Sequence, residues 1–414
     1  MSRVALILSV GERADPLLKA VERAREEGGE LALFAVYGRP FPNRPTSPLD
    51  TLNKLREKAQ EWGIELHPFQ AHDPLDFDSC MRAAELALRE AIDWGAERVI
   101  FNFSGGTKPL ASALVYVAIS RTVGLETSLE YTREKPFEVV PLPTVAEERM
   151  REALRLASRF SYSSALAVLE APQPRGRYGF LYQALKALSL WDSFLYKKAF
   201  EEMRQLRFKA EPLVDDPQLS KLSGTILRLS EVAGRMANLV KWLAGGDLAR
   251  AANDPEGLSL FPADALENAF RRLEEGRFAD AALRAYRAVE CAAQALLLAK
   301  HGFWPGKPDW SLLPEGVRGK FMDLVGYPRP PVNLGLRDSL LLLQLLGLIG
   351  PEWQAKFDEF ASIRNQSLLE HGYREVSREG AEKALEIGEE FVSSILEHLG
   401  EDLNKLRLSL RHEV

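Results

Sequence analysis

Arg364 and His371 stand seven positions apart in the run Ile363-Arg364-Asn365-Gln366-Ser367-Leu368-Leu369-Glu370-His371-Gly372. Seven residues turn through about 700° on an α-helix, so both side chains would face one side. A guanidinium stabilises phosphate charge, and an imidazole exchanges protons near neutral pH. Together they suffice to cleave RNA without a metal. Gly372 suits a helix C-cap, which would set His371 at the negative end of the helix dipole, where its protonated form is favoured. Spacing alone does not separate this pair from a solvated helix face. The tail offers a second arginine-to-histidine pair in Arg407-Leu408-Ser409-Leu410-Arg411-His412, at a chain end where fraying is the default expectation.

A second chemistry stands near the N-terminus, at two strand-to-helix turns. Ser9-Val10-Gly11 follows the first strand-like run, and Asn102-Phe103-Ser104-Gly105-Gly106-Thr107-Lys108-Pro109 follows the fourth. Glycines let a backbone approach a ligand closely, and Pro109 suits the first turn of a helix. The helix amides, Thr107 and Lys108 would then form a phosphate site. The turn is neither a Walker A loop nor a Gly-x-Gly-x-x-Gly fingerprint. A tight turn alone would explain Gly105-Gly106, but a buried lysine beside it would need an anionic partner. His67 and His72 read as solvated loop residues. Asp73, Asp76 and Asp78 read as helix caps before Ser79 rather than as a metal cluster, and no metal site is expected.

These turns need elements to position them. Residues 1 to about 143 alternate strand-like runs (Val4–Val10, Leu31–Val36, Ile64–Phe69, Arg98–Phe103, Leu125–Tyr131) with helical patterns (Pro16–Glu26, Leu49–Trp62, Ser79–Trp94, Pro109–Thr122). That alternation predicts a parallel sheet with helices on both faces. Its ligands would bind beyond the carboxyl ends of the strands. Ser128–Tyr131 and Phe137–Pro141 read as a closing hairpin, and the proline-rich Gly38–Pro48 as an exposed excursion. From Val145 onward the apolar spacing is helical throughout, with breaks at Ala171-Pro172-Gln173-Pro174 and Gly245-Gly246-Asp247. A further helical unit starts near Pro262, opens with Ala265–Leu273, and carries Arg364 on a helix predicted over Trp353–Leu369, with His371 just past it. The apolar Leu340–Leu346 would be a core helix or a subunit interface.

Composition narrows the function classes. A net charge of -6 over 414 residues excludes a uniformly basic nucleic-acid coat, so RNA contact would be local or transient. Two cysteines, Cys80 and Cys291, build neither a disulfide framework nor a paired-cysteine zinc site. The N-terminal run lacks the features of a signal peptide, and the longest apolar run, Leu340 to Ile349, is about half a membrane span. A cytoplasmic protein that contacts no membrane is expected.

The order of a nucleotide-sized turn, a helical unit and an Arg-Asn…His-Gly run resembles the CRISPR-associated CARF–HEPN ribonucleases of type III systems. Ser104-Gly105-Gly106-Thr107-Lys108 matches the CARF turn of one branch, and Arg364-Asn365 with His371 matches the HEPN pattern. Arg284-Ala285-Tyr286-Arg287-Ala288-Val289-Glu290 with Gln294, and Ala187-Leu188-Ser189-Leu190-Trp191-Asp192, are similar to family segments too. The resemblance implies a Rossmann-like CARF sensor over 1–143, a helical linker over 144–260 and an all-α HEPN ribonuclease over 261–414. It implies no cofactor but an allosteric activator, cyclic oligoadenylate, with the tetra-adenylate ring preferred over hexa-adenylate. Ser9, Val10, Gly11, Asn102, Ser104, Gly105, Gly106, Thr107 and Lys108 would bind it. Arg364, Asn365 and His371 would cleave single-stranded RNA, with Arg287 and Glu290 as a brace or as a plain salt bridge. Family members act as homodimers. Seven helical residues separate Arg364 from His371 by about 10 Å along the axis, too far for one tight phosphate clamp, and a two-fold axis would pool two copies. No helix-turn-helix or basic recognition helix supports a stable DNA complex. A non-catalytic sensor or scaffold, and a CARF site that degrades its own activator, are the competing readings.

Overall fold

Strand-like runs apolar at every position need burial on both faces, which only a sheet covered by helices on either side supplies. The computed structural model of the chain has this arrangement. It describes residues 3–42, 46–122, 125–134, 137–142, 145–170, 175–366 and 373–414, so His371 lies outside the described residues. Strands β1 (Arg3–Val10), β2 (Glu30–Gly38), β3 (Glu65–Ala71), β4 (Arg98–Asn102) and β5 (Glu126–Glu134) are parallel, and β6 (Phe137–Leu142) returns antiparallel to β5. The order across the sheet is β3-β2-β1-β4-β5-β6. Successive side chains alternate between faces. Ala5, Ile7, Phe34, Val99 and Phe101 join the core beneath α3 (Phe77–Asp93) and α4 (Lys108–Ser120). Val4, Leu6, Leu8, Val10 and Ile100 join the core beneath α1 (Asp15–Glu26) and α2 (Pro48–Trp62).

The helix starts are local chemistry. Ser47 and Asp50 form a reciprocal capping box around Pro48 at the start of α2. Asp76 caps α3 by accepting from the Ser79 amide at 2.7 Å, and Asp73 accepts from the Leu75 amide at 2.9 Å. Both aspartates thus serve as turn and cap residues. Thr107 caps α4, where Pro109 occupies the first turn.

The chain divides into two compact units, one of Met1–Arg155 with Ser163–Gln183, the other of Leu156–Tyr162 with Ala184–Val414. In the first, Arg175 donates to the Ile92 carbonyl and the Arg177 amide to Glu126, tying the 163–183 segment to the sheet edge. The second is helical among its described residues. Its centre is made by helices Pro255–Glu274, Phe278–His301 and Arg378–Glu397. Leu340, Leu342 and Leu343 are buried, so the apolar Leu340–Leu346 stretch is a core helix.

Two expectations fail here. Pro262 does not open a new unit, because one helix runs through it from Pro255 to Glu274. Proline forfeits a single helical hydrogen bond, and burial of Leu258, Leu260, Ala263, Leu266 and Ala269 around it outweighs that loss. The tail does not fray either. Asp402 caps a last helix, Leu403–Leu410, whose Arg407 reaches Glu267 and Glu389, each at 2.6 Å. Glu413 then exchanges backbone hydrogen bonds with the Thr225 hydroxyl.

Candidate functional site

In the sheet order, the chain leaves β1 toward β2 and β3 on one side and later returns to β4 on the other. Between the carboxyl ends of β1 and β4 the connections diverge, which opens a crevice where ligands of such sheets bind. Both glycine turns lie there. The Ser9 hydroxyl donates to the Gly105 carbonyl at 2.8 Å and accepts from the Gly105 amide at 3.3 Å. A Cβ on Gly105 would stand 2.4 Å from the Ser9 carbonyl oxygen, and one on Gly11 would stand 2.4 Å from the Gly106 nitrogen. Gly106 holds φ +79°, a left-handed conformation that favours glycine. The glycines are required first by the mutual approach of the two turns.

A cavity of about 370 Å³ sits on this junction. Of the nine residues expected to bind a ligand, Val10, Gly11, Ser104, Gly105, Gly106 and Thr107 line it. Ser9 and Asn102 are fully buried behind it. Asn102 Oδ1 accepts from the Ser104 hydroxyl at 2.5 Å, and Ser104 Oγ accepts from the Thr132 amide at 2.6 Å. Thr107 donates to the Pro74 carbonyl and accepts from the Leu110 amide. Lys108 is exposed on the first turn of α4. The polar side chains of the turn therefore hold one another; Pro109 has no N–H and the Leu110 amide is taken by Thr107, so neither position offers an amide to the cavity. Sequence reasoning missed Arg13, Arg39 and Phe41, which also line the cavity. Arg39 follows the carboxyl end of β2, and that position was the available signal. His67 pairs with Glu90 at 2.8 Å and stacks on Phe34, while His72 lies 3.4 Å from Arg39.

The second site lies in the helical unit. Trp353, Phe357, Phe360 and Arg364 recur every three to four residues on helix Trp353–Gln366, which places them on one stripe. That stripe meets Tyr286 of helix Phe278–His301. The Phe360 ring lies 5.3 Å and the Arg364 guanidinium carbon 4.6 Å from the Tyr286 ring centre. Arg364 Nη1 donates to Asn365 Oδ1 at 3.1 Å, and Asn365 is exposed. Arg364 and Asn365 are thus adjacent and touching, while His371 lies outside the described residues. Arg287 pairs with Glu290 one turn along its own helix.

The tail pair is not a second such site. His412 is buried, with Nδ1 2.8 Å from the Tyr162 hydroxyl. Burial, aided by Arg271, Arg228 and Arg272, holds its pKa well below the ordinary histidine value. Trp191-Asp192 is likewise structural. Asp192 accepts from Arg271 at 2.8 Å and from Asn268, and Trp191 donates to Asp264 at 2.8 Å. Burial pushes the Cys291 thiol up to about 12 and the Cys80 thiol up to about 11, so neither is a ready nucleophile. Among the described residues, no group of three or more His, Cys, Asp or Glu side chains converges as a metal site, and no helix is long and apolar enough to cross a membrane.

Fold and sites define a class: a doubly wound α/β unit with a glycine turn beside a cavity, and a unit, helical in most of its described residues, that presents Arg364. Residues 251–395 match the family model of the Csm6 HEPN domain. The match includes Arg364, Asn365 and His371. No curated protein sequence matches the chain. Among solved structures the chain is similar to Enterococcus italicus Csm6 bound to cyclic hexa-2′-fluoro-hexa-dAMP, with 14% identity over 99% of this chain and 100% of that one, at a TM-score of 0.37. It is also similar to a type III CRISPR defence DNA nuclease activated by cyclic oligoadenylate. There the identity is 17% over 56% of this chain and 34% of that one, at a TM-score of 0.25.

Proposed function

We propose that the protein is a cyclic-oligoadenylate-activated, metal-independent endoribonuclease of type III CRISPR defence that cuts single-stranded RNA. The observation that carries this reading is the Arg364-Asn365 pair, set at a helix end inside the Csm6 HEPN match that also spans His371. Arg364 stabilises the negative charge of the phosphorane. His371 takes the proton of the attacking ribose 2′-hydroxyl or returns one to the leaving 5′-oxygen. Asn365 orients the scissile phosphate or the histidine. The 2′-oxygen bonds to phosphorus as the 5′-oxygen leaves, giving a 2′,3′-cyclic phosphate.

Residues 1–143 act as the CARF sensor, and the linker ends before helix Pro255–Glu274, which belongs whole to the nuclease. The sensor binds the activator through the Gly105-Gly106 turn and Lys108. Two copies of the chain pool their arginines and histidines across a two-fold axis, and a ring of matching symmetry spans two turns. The cavity beyond β1 and β4, with Arg13 and Arg39 in its wall, supports the anion-binding half of this reading.

A fluorogenic single-stranded RNA, incubated with the full chain and either cyclic tetra- or hexa-adenylate in EDTA, tests it. Activator-dependent cleavage that vanishes in His371→Ala is expected, with the tetra-adenylate the stronger activator. Undiminished cleavage by His371→Ala would overturn the assignment. Chromatography of the activator alone separates sensing from ring cleavage.

A further inference from the structure

We propose that Tyr286 is a positioning residue for Arg364, acting through the face of its ring. This inference rests on the nuclease reading above and adds a residue to it. The Arg364 guanidinium carbon lies 4.6 Å from the Tyr286 ring centre, within the range of a cation–π contact. The ring is itself held: Phe360 lies 5.3 Å away and Phe357 6.5 Å, with Trp353 set edge-on against Phe357 at 5.8 Å. Phe357 and Phe360 are buried, so this aromatic column is rigid core that ends at a half-buried cation.

A guanidinium carries its N–H donors in the plane of the group. A guanidinium held over a ring by its face would keep those donors to the side, where a phosphate can be gripped bidentately. An arginine at the last turn of a helix otherwise samples many rotamers. The ring selects one of them before substrate arrives, and the Nη1 bond to Asn365 fixes the rotation about the stack. Lysine at 364 could not reproduce this, because its ammonium is a point charge without a plane.

The test uses the full chain, the RNA cleavage assay and saturating activator. Tyr286→Leu is expected to lower kcat about two- to thirtyfold, the span of cation–π contacts, with little change in KM. Tyr286→Phe, which keeps the ring, retains activity. Should the leucine variant fail to fold, replacing Tyr286 by phenylalanine and then by its mono-, di- and trifluorinated analogues keeps shape while draining the ring face. A stepwise fall in kcat with fluorination supports the proposal, because a purely packing role would not respond to ring electronics. Flat kcat across that series, with Arg364→Ala inactive, overturns it and leaves the nuclease reading standing. Full activity of Arg364→Ala overturns the nuclease reading itself.

Discussion

The β1/β4 turn and the end of helix Trp353–Gln366 are both proposed to handle phosphate, yet they are built from opposite materials. At the turn, Ser9, Asn102, Ser104 and Thr107 are engaged with neighbouring backbone and with each other. The cavity beside them is lined by the two glycine turns together with Glu12, Arg13, Arg39 and Phe41. In the helix the candidate group is one side chain, a guanidinium held over a ring. A glycine-turn site cannot accept an added atom. A side-chain site can lose atoms without unfolding, but then loses its rate.

The largest expected effect tests the side-chain half. Arg364→Ala and His371→Ala should each lower RNA cleavage on the order of 10²- to 10⁴-fold. Arg364→Ala should lower stability by no more than about 0.5–2 kcal/mol, the span of the cation–π contact it gives up. A calorimetric scan with a kinetic trace separates the two quantities, and a loss of stability beyond that span would break the contrast. Next comes the backbone half. Gly105→Ala puts a methyl 2.4 Å from the Ser9 oxygen and 2.8 Å from the Gly11 nitrogen, neither of which can rotate away. Crowding of this kind costs about 1–3 kcal/mol. Chemical denaturation of Gly105→Ala should show that loss, together with weaker activator binding. A parental midpoint would mean the two turns do not clasp as described.

The sheet was legible because Leu31–Val36 is apolar at every position and Val4–Val10 at all but Ser9, a pattern that burial on both faces imposes. The glycine turn was legible as a location but not in its inner wiring. Nothing in Ser9-Val10-Gly11 reveals that the hydroxyl serves Gly105, ninety-six residues away, since that pairing exists only once β1 and β4 lie side by side. Tyr286 stood inside a motif that resembled the family, but its role requires knowing that helix Trp353–Gln366 crosses it. Pro262 misled because its local cost is visible in sequence, whereas the burial that outweighs it is not. Arg407 and His412 misled for the same reason, because Glu267, Glu389 and Tyr162 are distant partners.

The tail histidine sharpens the contrast at smaller scale. His412 is neutral in the folded chain, with a pKa held well below 6.5 by burial and then by Arg271, Arg228 and Arg272. The unfolded chain takes up a proton below about pH 6.5 and the folded chain does not. Stability is therefore full above that pH and declines as the solution is acidified, by at most ~1.4 kcal/mol per pH unit. His412→Gln, which can still meet the Tyr162 hydroxyl, should remove that slope between pH 6.5 and 5.5. Identical slopes in variant and parent would place the titration elsewhere.

The smallest effects lie within the turn itself and divide two neighbours. Thr107 caps α4 and reaches Pro74, so Thr107→Ala should cost ~1 kcal/mol of stability, as loss of a helix cap does. Lys108 is exposed, and Lys108→Ala should leave the melt within about 0.5 kcal/mol of the parent. Its contribution would be a solvent-screened attraction to the activator, worth about 0.2–1 kcal/mol and so at most about fivefold in affinity. Titration at low and high salt distinguishes them: the Lys108→Ala deficit should shrink as salt rises, and the Thr107→Ala deficit should persist. If Lys108→Ala instead abolished binding at every salt concentration, the lysine would carry the site, and the glycine turn would be its support.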